Sequence, residues 1–399
     1  MQEEKFPYID RLDETVLDEA ILRFGTPTYV FDVEQAKKRA RAFRGIIGQA
    51  ADLCYAMKAN PFLVRAMAEK VNRIEVCSMG EFRICKQKEI PAEKLLISGV
   101  MKDRDDLWEI LETYGNRCHY TIESLNQYAI LNEWARSSGK KVPVYLRLTS
   151  GNQFGMDEET LTNIVELEQD KDLLEICGIH YFSGTQKKRK KTLEELTYLD
   201  EVFARLKEKT GYQVTELEYG PGLAVPYFAR QADERFETLE AIADALAKMQ
   251  WQGKVTLEMG RAFVADCGYY ITTVKDTKRS GDQNYCIIDG GMHQVNYDGQ
   301  IRGMYQPKLT IRPQGARGIY QNWTICGELC TGNDILVQNI KIDDLRVGST
   351  IIFENTGAYA VTEGMALFLS HALPAVVLYD PVGGFTQVRA RRETYVWNS

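Results

Sequence analysis

A lysine that directly follows a short apolar run must either snorkel to water or do chemistry. Lys58, in Tyr55-Ala56-Met57-Lys58-Ala59-Asn60, is such a residue. Desolvation lowers the pKa of an ammonium, and the neutral amine can then condense with an aldehyde. A lone lysine after a strand is usually surface, but this one has company. Polar motifs close several other apolar runs: Glu75-Val76-Cys77-Ser78-Met79-Gly80-Glu81, His180-Tyr181-Phe182-Ser183-Gly184-Thr185-Gln186, Gly220-Pro221-Gly222-Leu223-Ala224 and Glu258-Met259-Gly260-Arg261. An amine, carboxylates, a histidine, a glycine turn and a guanidinium at strand ends are the parts of a cofactor site.

The elements that must position them recur in a simple order. Strand candidates at 53–57, 74–77, 95–98, 120–122, 142–148, 176–182, 217–219 and 255–257 alternate with amphipathic segments such as 62–70 and 239–249. Eight strand–helix repeats predict a parallel (β/α)8 barrel, whose functional residues belong at the C-terminal ends of the strands. After about residue 270 the texture changes, with strand candidates at 269–274, 284–288, 318–326, 335–342, 350–353 and 375–379 and few helical runs. This predicts a second, mostly antiparallel β domain. A further strand, 28–32, precedes the first barrel helix and is a candidate to pair with that domain. The expected boundaries are 35–270 for the barrel, with 1–34 and 271–399 forming the β domain.

Bulk properties exclude several classes. The 399 residues, 44% hydrophobic, can bury a core or two, and a formal charge of −7 argues against a general nucleic-acid binder. No apolar run approaches the length of a membrane-spanning helix, and the start lacks a basic region followed by an apolar one. The nine cysteines are scattered singly, without CxxC pairs or zinc-finger spacing. We expect reduced cysteines, a cytoplasmic protein, no membrane partner and no metal.

With these motifs in order along nearly the whole chain, the sequence resembles the fold-type III pyridoxal phosphate-dependent decarboxylases, the diaminopimelate, ornithine and arginine decarboxylase family, whose architecture is the alanine racemase-like fold. The resemblance implies pyridoxal 5'-phosphate as cofactor and Lys58 as the Schiff-base lysine. It implies Gly220 and Gly222 in the phosphate-binding turn, Gly260 and Arg261 beside the phosphate, Ser183 near it, His180 stacked on the ring, and Tyr359 reaching phosphate or substrate. Glu258 matches the acidic residue that bonds the pyridine nitrogen and keeps it protonated, so that the ring is a strong electron sink. The related racemases place an arginine there, and a racemase or epimerase is the alternative that Glu258 disfavours. Glu75 and Glu81 match acidic positions near the lysine and histidine, and His293 a turn near the site. Cys330, in Cys326-Gly327-Glu328-Leu329-Cys330-Thr331-Gly332-Asn333-Asp334, matches a catalytic cysteine donated across a dimer interface, which implies a homodimer with shared sites. Its β domain separates the chain from single-domain carriers of the same cofactor. The chain departs from the family's glycine-rich turn at Pro221 and Ala224, and proline offers no N–H.

The expected substrate is a small amino acid. Diaminopimelate decarboxylases show Cys-Glu-Ser and Arg-Pro-x-x-Tyr; here Thr331 follows Cys330, and Arg302 and Tyr305 are one residue closer. Asp334 is a candidate for a distal amine. Cys-Thr-x-x-Asp, Gln153-Phe154-Gly155-Met156 and Val225-Pro226-Tyr227-Phe228 look similar to the branch acting on conjugated substrates, such as a carrier-protein-linked glutamyl group. The basic run Lys187-Lys188-Arg189-Lys190-Lys191, ahead of a capping-box pattern at Thr192-Leu193-Glu194-Glu195, is either a solvated loop or a patch that attracts an anionic substrate or acidic carrier.

Overall fold

The computed structural model describes residues 11–313 and 318–399 and divides into two compact units. Residues 1–10, on which part of the β-domain expectation and the leader reading fall, lie outside the described residues. Among the described residues, one unit comprises Ala40–Val225 and Glu234–Ala262; the other comprises 11–39, Pro226–Asp233, 263–313 and 318–399.

Before the barrel, β1 spans Thr28–Asp32. The barrel strands are β2 (Asp52–Ala56), β3 (Arg73–Val76), β4 (Leu95–Ile97), β5 (His119–Ile122), β6 (Val142–Leu148), β7 (Leu174–Phe182), β8 (Glu216–Gly220) and β9 (Lys254–Met259). All eight pair in parallel, and β9 closes on β2 with Cys54 opposite Glu258. Helices such as Leu125–Ser138 and Arg189–Thr210 lie between them in sequence. β6 is buried at every position, as a parallel strand covered on both faces must be. Side chains two residues apart share a face of the pleat. Arg73 and Glu75 on β3, Tyr145 and Arg147 on β6, and Glu216 and Glu218 on β8 therefore stack in levels inside the barrel. In the lower level Arg73 donates to Glu218 at 2.6 Å and to the Tyr145 hydroxyl at 2.8 Å. Burial pushes the Glu218 carboxyl up to about 7 even so.

The second unit is built on a nine-stranded sheet. Its strands after the barrel are β10 (Gly268–Ser280), β11 (Gln283–Ile288), β12 (Leu309–Arg312), β13 (Tyr320–Cys326), β14 (Ile335–Asp343), β15 (Thr350–Glu354), β16 (Ala375–Asp380) and β17 (Gly384–Arg389). β1 joins this sheet, antiparallel to β10 and parallel to β16. The helix Glu14–Phe24 packs Leu17 and Ala20 against Val30, Tyr269, Ile271 and Ile352. The segment Pro226–Asp233 is held in the same unit: Asn355 donates to the Pro226 and Tyr227 carbonyls at 3.0 and 3.2 Å. No described helix is long and apolar enough to cross a membrane.

Candidate active site

At the C-terminal ends of the barrel strands the expected residues come together in three groups. The first surrounds Lys58, on the turn just past β2. Its ammonium donates to Glu75 Oε2 at 2.6 Å and to Cys77 Sγ at 3.4 Å, while the Cys77 thiol donates to Glu75 Oε1 at 3.0 Å. Burial and the neighbouring Glu75 raise the Cys77 pKa far above the thiol range, so it stays protonated. Glu75 is buried, whereas the Lys58 side chain keeps 37% of its surface open. Glu81 accepts the Cys77 N–H at 2.6 Å and so braces this loop.

The second group joins β7 and β9. His180 Nε2 lies 2.9 Å from Glu258 Oε2, and both residues are buried. A carboxylate can only accept, so Nε2 carries the proton. Nδ1 is then a bare, buried acceptor without a partner. Burial, reinforced by the Arg147 charge, pulls the His180 pKa down to about 3, so the imidazole is neutral at ordinary pH. Arg147 is itself held by Glu123 at 2.9 Å, and Lys102 lies 3.8 Å from the same carboxylate. Burial draws the Lys102 pKa down to about 8.

The third group stitches the glycine turn. Gly222 has φ +60°, and a Cβ there would sit 2.2 Å from the Gly184 carbonyl oxygen. The Lys187 N–H donates to the Gly222 carbonyl at 2.9 Å, and the Val225 N–H to Gln186 Oε1 at 2.7 Å. Beneath lies a buried hub, Glu195, which accepts from the Ser183 hydroxyl, from Lys187 Nζ at 2.5 Å and from the Tyr219 hydroxyl at 2.8 Å. Lys187 Nζ also reaches Ser183 Oγ at 3.1 Å and the Gly220 carbonyl at 3.3 Å. Gly260 and Arg261 follow β9, with Arg261 opening a short helix.

The basic run is not the uniform patch that the sequence suggests. Lys187 is buried in the Glu195 hub, and the helix begins at Arg189 with Lys188 as an uncapped N-cap. Glu195 therefore lies beyond the first turn and serves the hub, so the capping-box reading is corrected.

Sequence reasoning missed Glu195, Cys77 and the Glu123–Arg147–Lys102 group. Pleat alternation was the signal for Arg147, two residues after Tyr145 on β6. The sequence marked Glu195 only as a capping-box residue; its partners come from the loop after β7 and from β8.

The β unit carries the remaining candidates. Cys330 is exposed in the loop after β13, as are Arg302 and Tyr305 in the loop before β12. Tyr305 packs its ring 5.2 Å from Phe228. Tyr359 is half-buried with φ +63°. Asp334 differs from expectation. It is 2% exposed, and its two oxygens accept the N–H groups of Met292 at 2.8 Å and Leu329 at 2.9 Å. Those bonds make it a tie between loops rather than an open partner for a distal amine.

The described barrel residues suit an aromatic aldehyde with a phosphate. Glu258 has one oxygen fixed by His180 and no described bond at the other, Lys58 offers an accessible amine, and Gly222 holds a turn that a side chain would fill. Comparison with known proteins defines the class. Residues 33–265 match the model of the pyridoxal-dependent decarboxylase, pyridoxal binding domain, and the chain belongs to that family. It is a pyridoxal phosphate-dependent amino-acid decarboxylase, a carboxy-lyase. Among its relatives, the L-glutamyl-[BtrI acyl-carrier protein] decarboxylase of Niallia circulans is 26% identical, with 92% of each chain covered. The diaminopimelate decarboxylase of Aquifex aeolicus is 27% identical, with 88% of each covered. The crystal structure of the Methanocaldococcus jannaschii diaminopimelate decarboxylase with L-lysine shares the fold: TM-score 0.83 and 23% identity, over 94% of this chain and 91% of that one.

Proposed function

We propose that Lys58 anchors the cofactor aldehyde, Glu258 faces the ring nitrogen, His180 orients Glu258, and Cys330 donates the proton that replaces the lost carboxyl group. Pyridoxal phosphate, when bound, supplies the electron sink that lets CO2 leave an α-amino acid. The observation that carries this reading is the buried pair of Glu258 and neutral His180 at 2.9 Å. A neutral imidazole N–H fixes the carboxylate without competing for its charge, which leaves that charge for a protonated ring nitrogen. Glu75 holds the Lys58 ammonium and is an acceptor at 2.6 Å for the proton that the amine loses before it attacks. Gly220, Gly222 and Gly260 shape a pocket for phosphate, with Arg261 as its cation and Ser183 fixed beneath. Lys58→Ala tests the assignment: we expect loss of CO2 release and of the visible absorbance of the loaded enzyme. Retention of either overturns the role of Lys58. Solvent-deuterium exchange at the α-carbon without CO2 release would instead point to racemisation.

A second reading concerns the substrate, and the state of Asp334 favours it. With both Asp334 oxygens taken by backbone amides, and Thr331 where diaminopimelate decarboxylases carry a glutamate, neither position offers a free carboxylate to a distal ammonium. A substrate conjugated at its far end, such as a carrier-protein-linked glutamyl group, needs none. CO2 release measured against meso-diaminopimelate, lysine, ornithine, arginine and carrier-linked glutamate decides between the two. Turnover of free diaminopimelate at the highest kcat/KM would reject the conjugated class.

A further inference from the structure

The β unit brings together three side chains with metal-ligating atoms: His293, Glu328 and His371, from three separate loops. One ligand atom from each lies within 4.8 Å of the others. Glu328 Oε1 is 3.3 Å from His293 Nε2 and 3.2 Å from His371 Nδ1. Two imidazoles and a carboxylate are a donor set that zinc takes up. Ligand atoms about 2.0–2.1 Å from a tetrahedral ion are separated by roughly 3.4 Å. The two Glu328 contacts already match that edge, and the third pair lies within 4.8 Å, with the His371 side chain 30% exposed.

His293 supplies the second observation. It is 2% exposed, and neither of its ring nitrogens makes a hydrogen bond, although Nε2 stands at ion-pair distance from Glu328. A buried imidazole normally satisfies its N–H by pointing it at an acceptor. Here the nitrogen and the carboxylate oxygen are close but not aligned for a hydrogen bond. The backbone around each donor is fixed in advance. Asp334 accepts the N–H groups of Met292 and Leu329, which directly flank His293 and Glu328. The Glu328 N–H donates to the Gly290 carbonyl at 2.7 Å. The His371 carbonyl accepts from the Thr394 hydroxyl at 2.8 Å, and the next carbonyl, of Ala372, accepts from Gln294 Nε2 at 2.8 Å.

We propose that His293, Glu328 and His371 bind a divalent cation of the zinc class, with a fourth position left for water. The ion staples the loop that carries Cys330, two residues beyond Glu328, to the loops carrying His293 and His371. The sequence-level expectation of no metal rested on short-range spacing, which three distant loops cannot display. The site does not depend on the decarboxylase reading, since none of the three residues is assigned a part in it.

The test uses the full chain, free of any purification tag, stripped with EDTA and titrated with Zn2+ against a chromophoric chelator. We expect about one equivalent bound per chain, and a melting temperature that rises with zinc. His371→Ala and Glu328→Ala, at partly exposed positions and checked for an intact fold by circular dichroism, should each lose about tenfold or more in affinity. The zinc-dependent rise in melting temperature should vanish in the double variant. Absence of zinc binding by the wild-type chain, which would leave only a carboxylate shared by two imidazoles, overturns the proposal. So does undiminished binding by the double variant.

Discussion

At the scale of single residues, burial decides what each titratable group can do. Glu195 is the clearest case: one carboxylate satisfies a buried ammonium and two hydroxyls. Replacing it with glutamine leaves Lys187 charged without a counter-ion, which costs on the order of 3–5 kcal/mol. Urea unfolding of Glu195→Gln should show that loss as a lower midpoint, and a change within experimental error would refute the hub. His180 sets a pH dependence. Its folded pKa of about 3 lies below the reference value of 6.5. The unfolded chain therefore takes up a proton first as pH falls, so this contribution is complete above about 6.5 and is lost progressively toward 3. Unfolding at pH 7.5 and pH 5.5 should show a smaller acid-induced loss for His180→Gln than for wild type. Equal losses would mean that the imidazole is not buried in its neutral form.

Elements impose the next level of order. A parallel strand with both faces covered ends in a turn whose backbone groups point at the mouth, and the pleat sends alternate side chains inward. That is how Glu75, Arg147, His180 and Glu258 reach one end of the barrel while Arg73 and Glu218 lie a level below. The turn after β8 is tight. Gly222 sits at φ +60° with a carbonyl where a Cβ would be, and Pro221 beside it donates nothing. Gly222→Ala should cost at least about 1–2 kcal/mol in backbone strain alone, and more where the turn must grip a phosphate. Cofactor titration followed by absorbance should show weaker binding, and wild-type affinity would remove this turn from the phosphate site. Helix starts are less informative. The pattern Thr192-Leu193-Glu194-Glu195 suggested a cap at the wrong place, because the helix already begins at Arg189 and Glu195 serves a buried hub.

For the whole molecule, the proposal that Cys330 acts in a second copy's site makes a quantitative prediction. Lys58→Ala and Cys330→Ala should each be inactive alone, yet mixing them in equal amounts under exchange should restore about a quarter of wild-type activity, since half the dimers are mixed and each has one intact site. No recovery would place the cysteine in its own chain's site or outside the chemistry. Substituting glutamine at Lys188, Lys190 and Lys191 should raise KM for a carrier-linked substrate in a salt-dependent way, if those lysines meet an acidic partner.

The sequence by itself determined the eight-strand barrel, the β-rich unit and the strand positions of Lys58, His180 and Glu258, because hydrophobic periodicity and strand-end motifs are local signals. It placed the strand at 28–32 with the later β segments, and β1 does pair with β10 and β16. Only the tertiary structure revealed that Asp334 is spent on backbone amides, that Glu195 joins Ser183, Lys187 and Tyr219, and that His293, Glu328 and His371 converge. Each of these depends on loops distant in sequence meeting at hydrogen-bond range, and no periodicity along the chain records which loops will meet.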